Sequence, residues 1–476
     1  MRVGATSWHG FRTAKAAVIR CSLVALVAWT VLGLPAAHSQ PVNEESGRIP
    51  GVPDPSIATS LPSGLADFGA IRSGLARHGI EIGVNYIGEV LGNPSGGFKQ
   101  GTYYDGRLDL AITADLEKMI GWKGLTFFAN GYQIHGESIT AEDLGAFMPV
   151  SFIEATPATR LFELWFEQKL LDNKLSVRFG QLAADSEFLL SDGGGAFING
   201  TWGWPSITAA NMPQGGPAYP LATPGVRVAY TPNDSLTIMA GLYNGKPAGD
   251  CPDDEDPQVC NNHGLDFPIN DPPLLMIEGA YKYNQGEKEL PGTIKIGGWK
   301  NYGSFFHQRF DEAGGELAIT GNDPGVLDGD YGLYAIIDQM IYRLPGEDDP
   351  KGVSVFGRII GAPEDRNPVS FYWEAGMTFA GMMASRPEDI LSIAYARTVI
   401  SNDPAANTVD AGETSIIPTY EGLIEVSYTA QIVPGFTVQP DFQYFWNPGG
   451  RAPMPDDPNT AVPNAALFGL RTTINY

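Results

Sequence analysis

The chain has 476 residues, a formal charge of −24, and only 18% charged residues among 58 Gly and 37 Pro. That acidic balance argues against nucleic-acid binding, because a phosphate backbone repels it. Only the N-terminus carries a long apolar run, so a helical membrane protein is excluded. What remains is a soluble protein or a barrel, since only helices and closed barrels span a bilayer.

The N-terminus reads as a targeting segment. Arg2, Arg12, Lys15 and Arg20 form a basic region, and Cys21 to Leu34 is apolar. Ala37-His38-Ser39 fits a small-x-small cleavage site, which predicts a signal peptide over 1–39 and a mature start at Gln40. The signal removes four basic residues and no acidic ones, leaving 26 basic against 54 acidic, or −28.

Residues 40–66 are rich in Pro, Gly and Ser and read as a flexible leader. Phe68, Ile71 and Leu75 have helical spacing, which predicts a short helical segment over 67–79. From Ile80 the period becomes two. Ile80, Ile82, Val84 and Tyr86 lie opposite Glu81, Gly83, Asn85 and Ile87, and Leu108, Leu110, Ile112, Ala114 and Leu116 lie opposite Arg107, Asp109, Ala111, Thr113 and Asp115. Such segments recur to give sixteen predicted strands between Ile80 and Tyr476. Short connections such as Leu171-Asp172-Asn173, Pro232-Asn233-Asp234 and Pro434-Gly435 alternate with long ones such as Gly136–Arg160, Ala183–Pro224, Gly245–Pro273 and Asn301–Asp330. Periplasmic turns alternating with extracellular loops are what an outer-membrane barrel requires, and an even strand number leaves no open edge.

The last predicted strand, Asn464 to Tyr476, puts Ala466, Phe468, Leu470, Thr472 and Ile474 on one face and Leu467, Gly469, Arg471, Thr473 and Asn475 on the other. It ends on an aromatic residue suited to an interfacial girdle. By itself it also fits the last strand of a soluble sandwich. The fold expected for 80–476 is all-β, a transmembrane antiparallel barrel of about 16 strands.

After cleavage two cysteines remain, Cys251 and Cys260, in the acidic segment C-P-D-D-E-D-P-Q-V-C. An exported chain meets an oxidising compartment, so a disulfide closing this loop is expected. A metal site there is the weaker alternative, because the acids are adjacent rather than spaced. Further acidic runs are Glu347-Asp348-Asp349 and Asp456-Asp457.

Enzyme constellations are thin. His78, His135, His263 and His307 lie in no H-E-x-x-H, and there is no G-x-S-x-G. Nothing calls for a metal ligand set or a cofactor. The predicted wet face is richer. Glu163, Trp165 and Glu167 lie opposite Phe162, Leu164 and Phe166, and Arg178, Arg227 and Arg358 each lie between apolar neighbours. Asp441 and Gln443 lie opposite Phe442 and Tyr444, while Trp202 and Trp204 fall in the longest loop. Acids, amides and guanidinium groups suit sugar hydroxyls, and aromatic faces suit sugar C–H faces. Ordinary wall charges of a water-filled pore would read the same way.

Several runs resemble the carbohydrate-selective porin family of the OprB type: Arg160-Leu-Phe-Glu-Leu-Trp-Phe-Glu-Gln168, Val177-Arg-Phe-Gly-Gln-Leu-Ala-Ala-Asp-Ser-Glu-Phe188, Gly215-Gly-Pro-Ala-Tyr-Pro220, Asp338-Gln-Met-Ile-Tyr-Arg343 and Gln439-Pro-Asp-Phe-Gln-Tyr444. The resemblance covers roughly Gly74 to Tyr476. It implies a sixteen-stranded barrel in the outer membrane of a Gram-negative bacterium that passes monosaccharides such as glucose. The partners implied are small neutral sugars, outer-membrane lipid and lipopolysaccharide, the barrel assembly machinery and a possible homo-oligomer. A general or cation-preferring porin, suggested by the charge of −28, and a secreted polysaccharide-binding β-protein stay open as alternatives.

Overall fold

The computed structural model describes residues 50–346, 351–412 and 414–476. The targeting segment with its cleavage site and the acidic run at 347–349 lie outside the described residues.

The described residues form a closed antiparallel barrel of sixteen strands in simple up-and-down order. They are β1 Ile80–Ser95, β2 Thr102–Asp115, β3 Leu125–Gly136, β4 Ala158–Leu170, β5 Leu175–Leu182, β6 Thr223–Asn233, β7 Leu236–Asn244 and β8 Pro273–Tyr283. The second half is β9 Gly292–Asp311, β10 Pro324–Arg343, β11 Gly352–Gly361, β12 Val369–Ala380, β13 Ile390–Ile400, β14 Tyr420–Val433, β15 Phe436–Trp446 and the closing strand β16, Ala465–Asn475. Strand β16 pairs with β15 on one side and with β1 on the other, Arg471 facing Glu89 across the seam. A two-stranded hairpin of Pro453–Met454 and Asp457–Ala461 sits in the last extracellular loop.

Alternation sets the two faces. Leu110 and Ile112 are 51% and 45% exposed on the outside, while Asp105 and Arg107 are buried inside. Strand β2 stops at Asp115, whose carboxylate caps the helix Leu116–Ile120 by accepting from the Glu117 and Lys118 amides. Leu116, placed on the strand by alternation, therefore opens a helix. In β4 a bulge opposite Ala129–Gly131 shifts the register. Phe162 consequently packs against Tyr132 and Tyr219 instead of facing lipid, and Glu163 follows it on the inner side.

Strands β9 and β10 are 20 residues each and extend into the stretch read from the sequence as the loop Asn301–Asp330. Beyond the membrane neither face needs to be apolar, so the alternation that marks a strand fades. The N-terminal residues are also placed. Ser56 and Ile57 are fully buried, Ile57 packing on Ile474 with Val433, Phe436 and Tyr476 around it. Residues 56–61, read as part of a flexible leader, thus lie against the outer wall at the closing seam. The helix Ile71–Arg77 follows within the predicted 67–79 segment.

The apolar core lies inside the barrel. Phe188, Phe197, Trp202, Tyr243, Phe356 and Tyr372 pack together there, three of them on the connection between β5 and β6.

The candidate constriction

The β5–β6 connection folds into the lumen because wall carboxylates on several strands accept from its amides. Glu425 of β14 takes the Ile198 amide at 2.6 Å, the Asn199 amide at 3.2 Å and the Trp202 indole N–H at 2.6 Å. Glu278 takes the Leu189 amide at 3.1 Å, Asp338 the Ser191 hydroxyl at 2.6 Å and Glu163 the Ala183 amide at 3.0 Å. Each carboxylate sits on a strand and meets an amide that the loop's turns leave without a backbone partner.

Arg358 belongs to this scaffold. Its guanidinium donates to the carbonyls of Leu189, Thr201 and Trp202 at 2.5, 3.0 and 2.9 Å and to Glu374 at 2.7 Å. Both side chains of that ion pair have zero exposure. Gln443 is likewise enclosed, donating to the Val150 carbonyl and to Asp441 at 2.9 Å each. Trp202 is 1% exposed. The sequence placed Glu163, Arg358, Asp441 and Gln443 on the sugar path, with Trp202 as a loop aromatic beside it. The structure buries all five; Glu163, Arg358, Gln443 and Trp202 bond loop to wall, and Asp441 accepts from Gln443. Alternation gives the inner face of a strand, but not whether a loop covers it.

Trp165, Glu167, Arg178 and Arg227 form a separate cluster. Arg178 lies flat over the Trp165 ring, 3.8 Å from its centroid, and Trp165 stacks on Phe128. Arg178 reaches Glu187 at 2.5 Å and Glu167 at 3.5 Å. Arg227 reaches Glu167 at 3.0 Å, donates to the Ser176 hydroxyl at 2.6 Å and also grips Glu187. Two guanidinium groups therefore face two carboxylates with no net charge. The carboxylates Glu167 and Glu187 keep 13% and 10% side-chain exposure, while Trp165, Arg178 and Arg227 are themselves 8%, 9% and 4% exposed. Glu187 was not singled out as a site residue, because it lies on the loop and only the inward fold brings it to the wall. Its place in the run ending at Phe188 was the one available signal. Trp204 is half-buried beside a cavity of about 250 Å³ that also touches Tyr219, Asp256 and Gln258.

Cys251 and Cys260 are bridged, with Cα atoms 5.8 Å apart. Their loop docks on β4 through Arg160, whose guanidinium donates to the Asn261 carbonyl, and on the segment before it through Thr156, which donates to Asp256 and Gln258.

A family model described as carbohydrate-selective porin, OprB family, matches residues 99–476. The chain belongs to that family. Porin B of Pseudomonas aeruginosa is 25% identical over 410 residues, covering 81% of this chain and 87% of the relative. A putative porin, QuiX, of Acinetobacter baylyi is 20% identical over 454 residues, covering 87% and 92%. The high-pH structure of Pseudomonas putida OprB shares the fold, with a TM-score of 0.76 at 21% identity, and covers 86% of this chain and 97% of that one. This porin is thus an outer-membrane channel of a Gram-negative cell that admits carbohydrates.

Proposed function

We propose that monosaccharides such as glucose cross this porin by diffusion along Trp165, Glu167, Arg178, Arg227 and Glu187. The observation that carries the reading is the balanced charge cluster beside an aromatic face. Paired charges offer hydroxyls both donors and acceptors while leaving little net field to sort ions. Such a site holds a sugar weakly, and transport needs weak binding, since a tightly held solute does not leave. The activity is passive and includes no catalytic step.

The test is sugar block of ion current in planar bilayers. Arg178→Ala and Glu167→Ala should each raise the glucose concentration for half block by roughly tenfold, the scale of one lost charge-assisted hydrogen bond. In a general or cation-preferring pore these changes would shift the cation-to-anion permeability ratio and leave sugar block untouched. That outcome in both variants would overturn the sugar path.

Insertion by the barrel assembly machinery and association into a homo-oligomer complete the proposal. For the first, the support is a closing strand with outward Phe468 and Leu470. For the second, it is a flat outer patch in which Tyr86 and His135 lie over Gly88 and Gly106. Cross-linking in intact membranes tests the homo-oligomer.

A further inference from the structure

Near the extracellular end of the wall one arginine points toward lipid. In β13, Ala396 and Thr398 face inward with zero exposure, while Leu391 and Ile393 are exposed outside. Arg397 shares the outer face with them, three residues before the strand ends at Ile400. The long extracellular connection 401–419 follows, so Arg397 lies at the level of the outer leaflet's headgroups.

Aromatic rings surround it. The guanidinium stands 3.7 Å from the centroid of Tyr420, the first residue of β14. Trp373 packs on Tyr395 at 5.2 Å, and Tyr395 on Trp446 at 5.9 Å. The floor is Gly422, which pairs with Arg397 across β13 and β14. A Cβ at 422 would come within 3.0 Å of the Tyr395 hydroxyl and 3.5 Å of both Trp446 and Tyr420, so the three rings close over this glycine. Among the described residues Arg397 has no carboxylate partner. On the inner face Arg178, Arg358 and Arg471 have one, in Glu187, Glu374 and Glu89, while Arg107 rests on aromatic rings and Arg160 on backbone carbonyls.

An interfacial arginine facing lipid turns its guanidinium to the headgroups, where an anion or a π-face can hold it. Tyr420 supplies the π-face and the Tyr395 hydroxyl accepts from the guanidinium, whose five N–H groups outnumber these partners. A phosphate matches that planar fork, and sugar C–H faces or acyl stems match flat indole and phenol rings. We propose that Arg397, with Trp373, Tyr395, Tyr420 and Trp446, binds the phosphorylated disaccharide headgroup of the outer-leaflet glycolipid. This site lies on the outside of the wall and is independent of the sugar path.

The test is native mass spectrometry of the whole porin, extracted in mild detergent and titrated with diphosphoryl lipid A, dephosphorylated lipid A or phosphatidylglycerol. Wild type should retain diphosphoryl lipid A at least roughly tenfold better than the dephosphorylated form, the loss expected for one guanidinium–phosphate contact. Arg397→Ala should remove that preference, and Arg397→Lys should keep part of it while losing the paired geometry. Equal retention of both lipid A forms by wild type would overturn the proposal and leave a girdle arginine held only by Tyr420. Equal retention of phosphatidylglycerol would overturn the glycolipid assignment. The wild-type arm decides even if Arg397→Ala fails to fold, and unchanged glucose block in Arg397→Lys separates this site from the channel.

Discussion

Arg358 shows how far one side chain's surroundings redirect its role. It reads as a lumen charge, yet it donates to loop carbonyls and to Glu374 and lies over the Tyr372 ring. Removing one member of a fully buried pair leaves the other uncompensated, which costs about 3–5 kcal/mol. Arg358→Ala should therefore lower thermal stability and free the 189–202 stretch of the loop, and bilayer recordings should show larger, noisier conductance. The double variant Arg358→Met with Glu374→Gln removes both charges and should recover most of the stability. If the single variant conducts as wild type does, Arg358 does not hold the loop. Arg178 and Arg227 differ from Arg358 in that their carboxylate partners keep 10–13% side-chain exposure, where Glu374 has none.

At the scale of elements, period two is a consequence of the membrane itself. A wall wet on one side and greasy on the other forces alternation, and alternation is why β2 could be assigned from residues alone. Leu110→Arg would place a charge on the lipid face near the midplane and should cost about 2–4 kcal/mol in folding equilibria measured in bilayers. Cysteines placed at 110 and 112 should resist a membrane-impermeant thiol reagent applied to the pore; rapid labelling would mean the register is wrong. The same logic fails where the membrane ends. The outer halves of β9 and β10 stand in water and carry no such pattern.

The N-terminal strap is an element that composition concealed. Ser56 donates to the Asn475 carbonyl at 3.2 Å, and Asn475 returns a bond to the Pro55 carbonyl at 2.8 Å. Gly435, at φ +74°, lets the chain approach, since a Cβ there would sit 2.2 Å from the Ile57 amide nitrogen. Arg72 lies over the Tyr476 ring at 4.8 Å and donates to the Ile82 carbonyl at 3.0 Å. The segment thus spans β15, β16 and β1, the seam where the barrel closes. Ile57→Ala should destabilise by about 2 kcal/mol, the low end for a buried isoleucine, and Arg72→Ala should act in the same direction. Both would convert the compact, heat-modifiable gel band at a lower temperature. An unchanged transition in both variants would mean that the segment rests on the wall without holding it.

For the whole molecule, the deciding event is the inward fold of the β5–β6 loop, and it should respond to pH. Asp185 lies in that loop, and burial pushes its carboxyl up to about 6 from 3.8, although the Tyr219 amide donates to it at 2.7 Å. A carboxyl whose pKa rises on folding contributes stability that is complete below the unfolded value and is lost as pH climbs through the folded one. Loop docking should therefore loosen as pH rises from about 4 through about 6. Hydrogen exchange of residues 183–222, corrected for intrinsic rates, should register this, and Asp185→Asn should flatten the dependence. A loop equally protected at pH 5 and 7.5 would contradict it.

The sequence by itself determined the barrel, its strand number and, away from bulges such as the one before Glu163, which residues of each strand point inward. The membrane imposes those features locally, through alternation, turn residues and the absence of long apolar runs. The runs around Arg160–Gln168 and Val177–Phe188 likewise marked the residues that come together as Trp165, Glu167, Arg178 and Arg227. Only the tertiary structure decided which inward residues still meet water. That depends on where the β5–β6 loop lies against the far wall, on contacts such as Trp202 with Glu425, 223 residues apart in the chain. Local periodicity carries no record of such a contact, because a carboxylate lining a pore and one holding a loop occupy the same face of the same kind of strand.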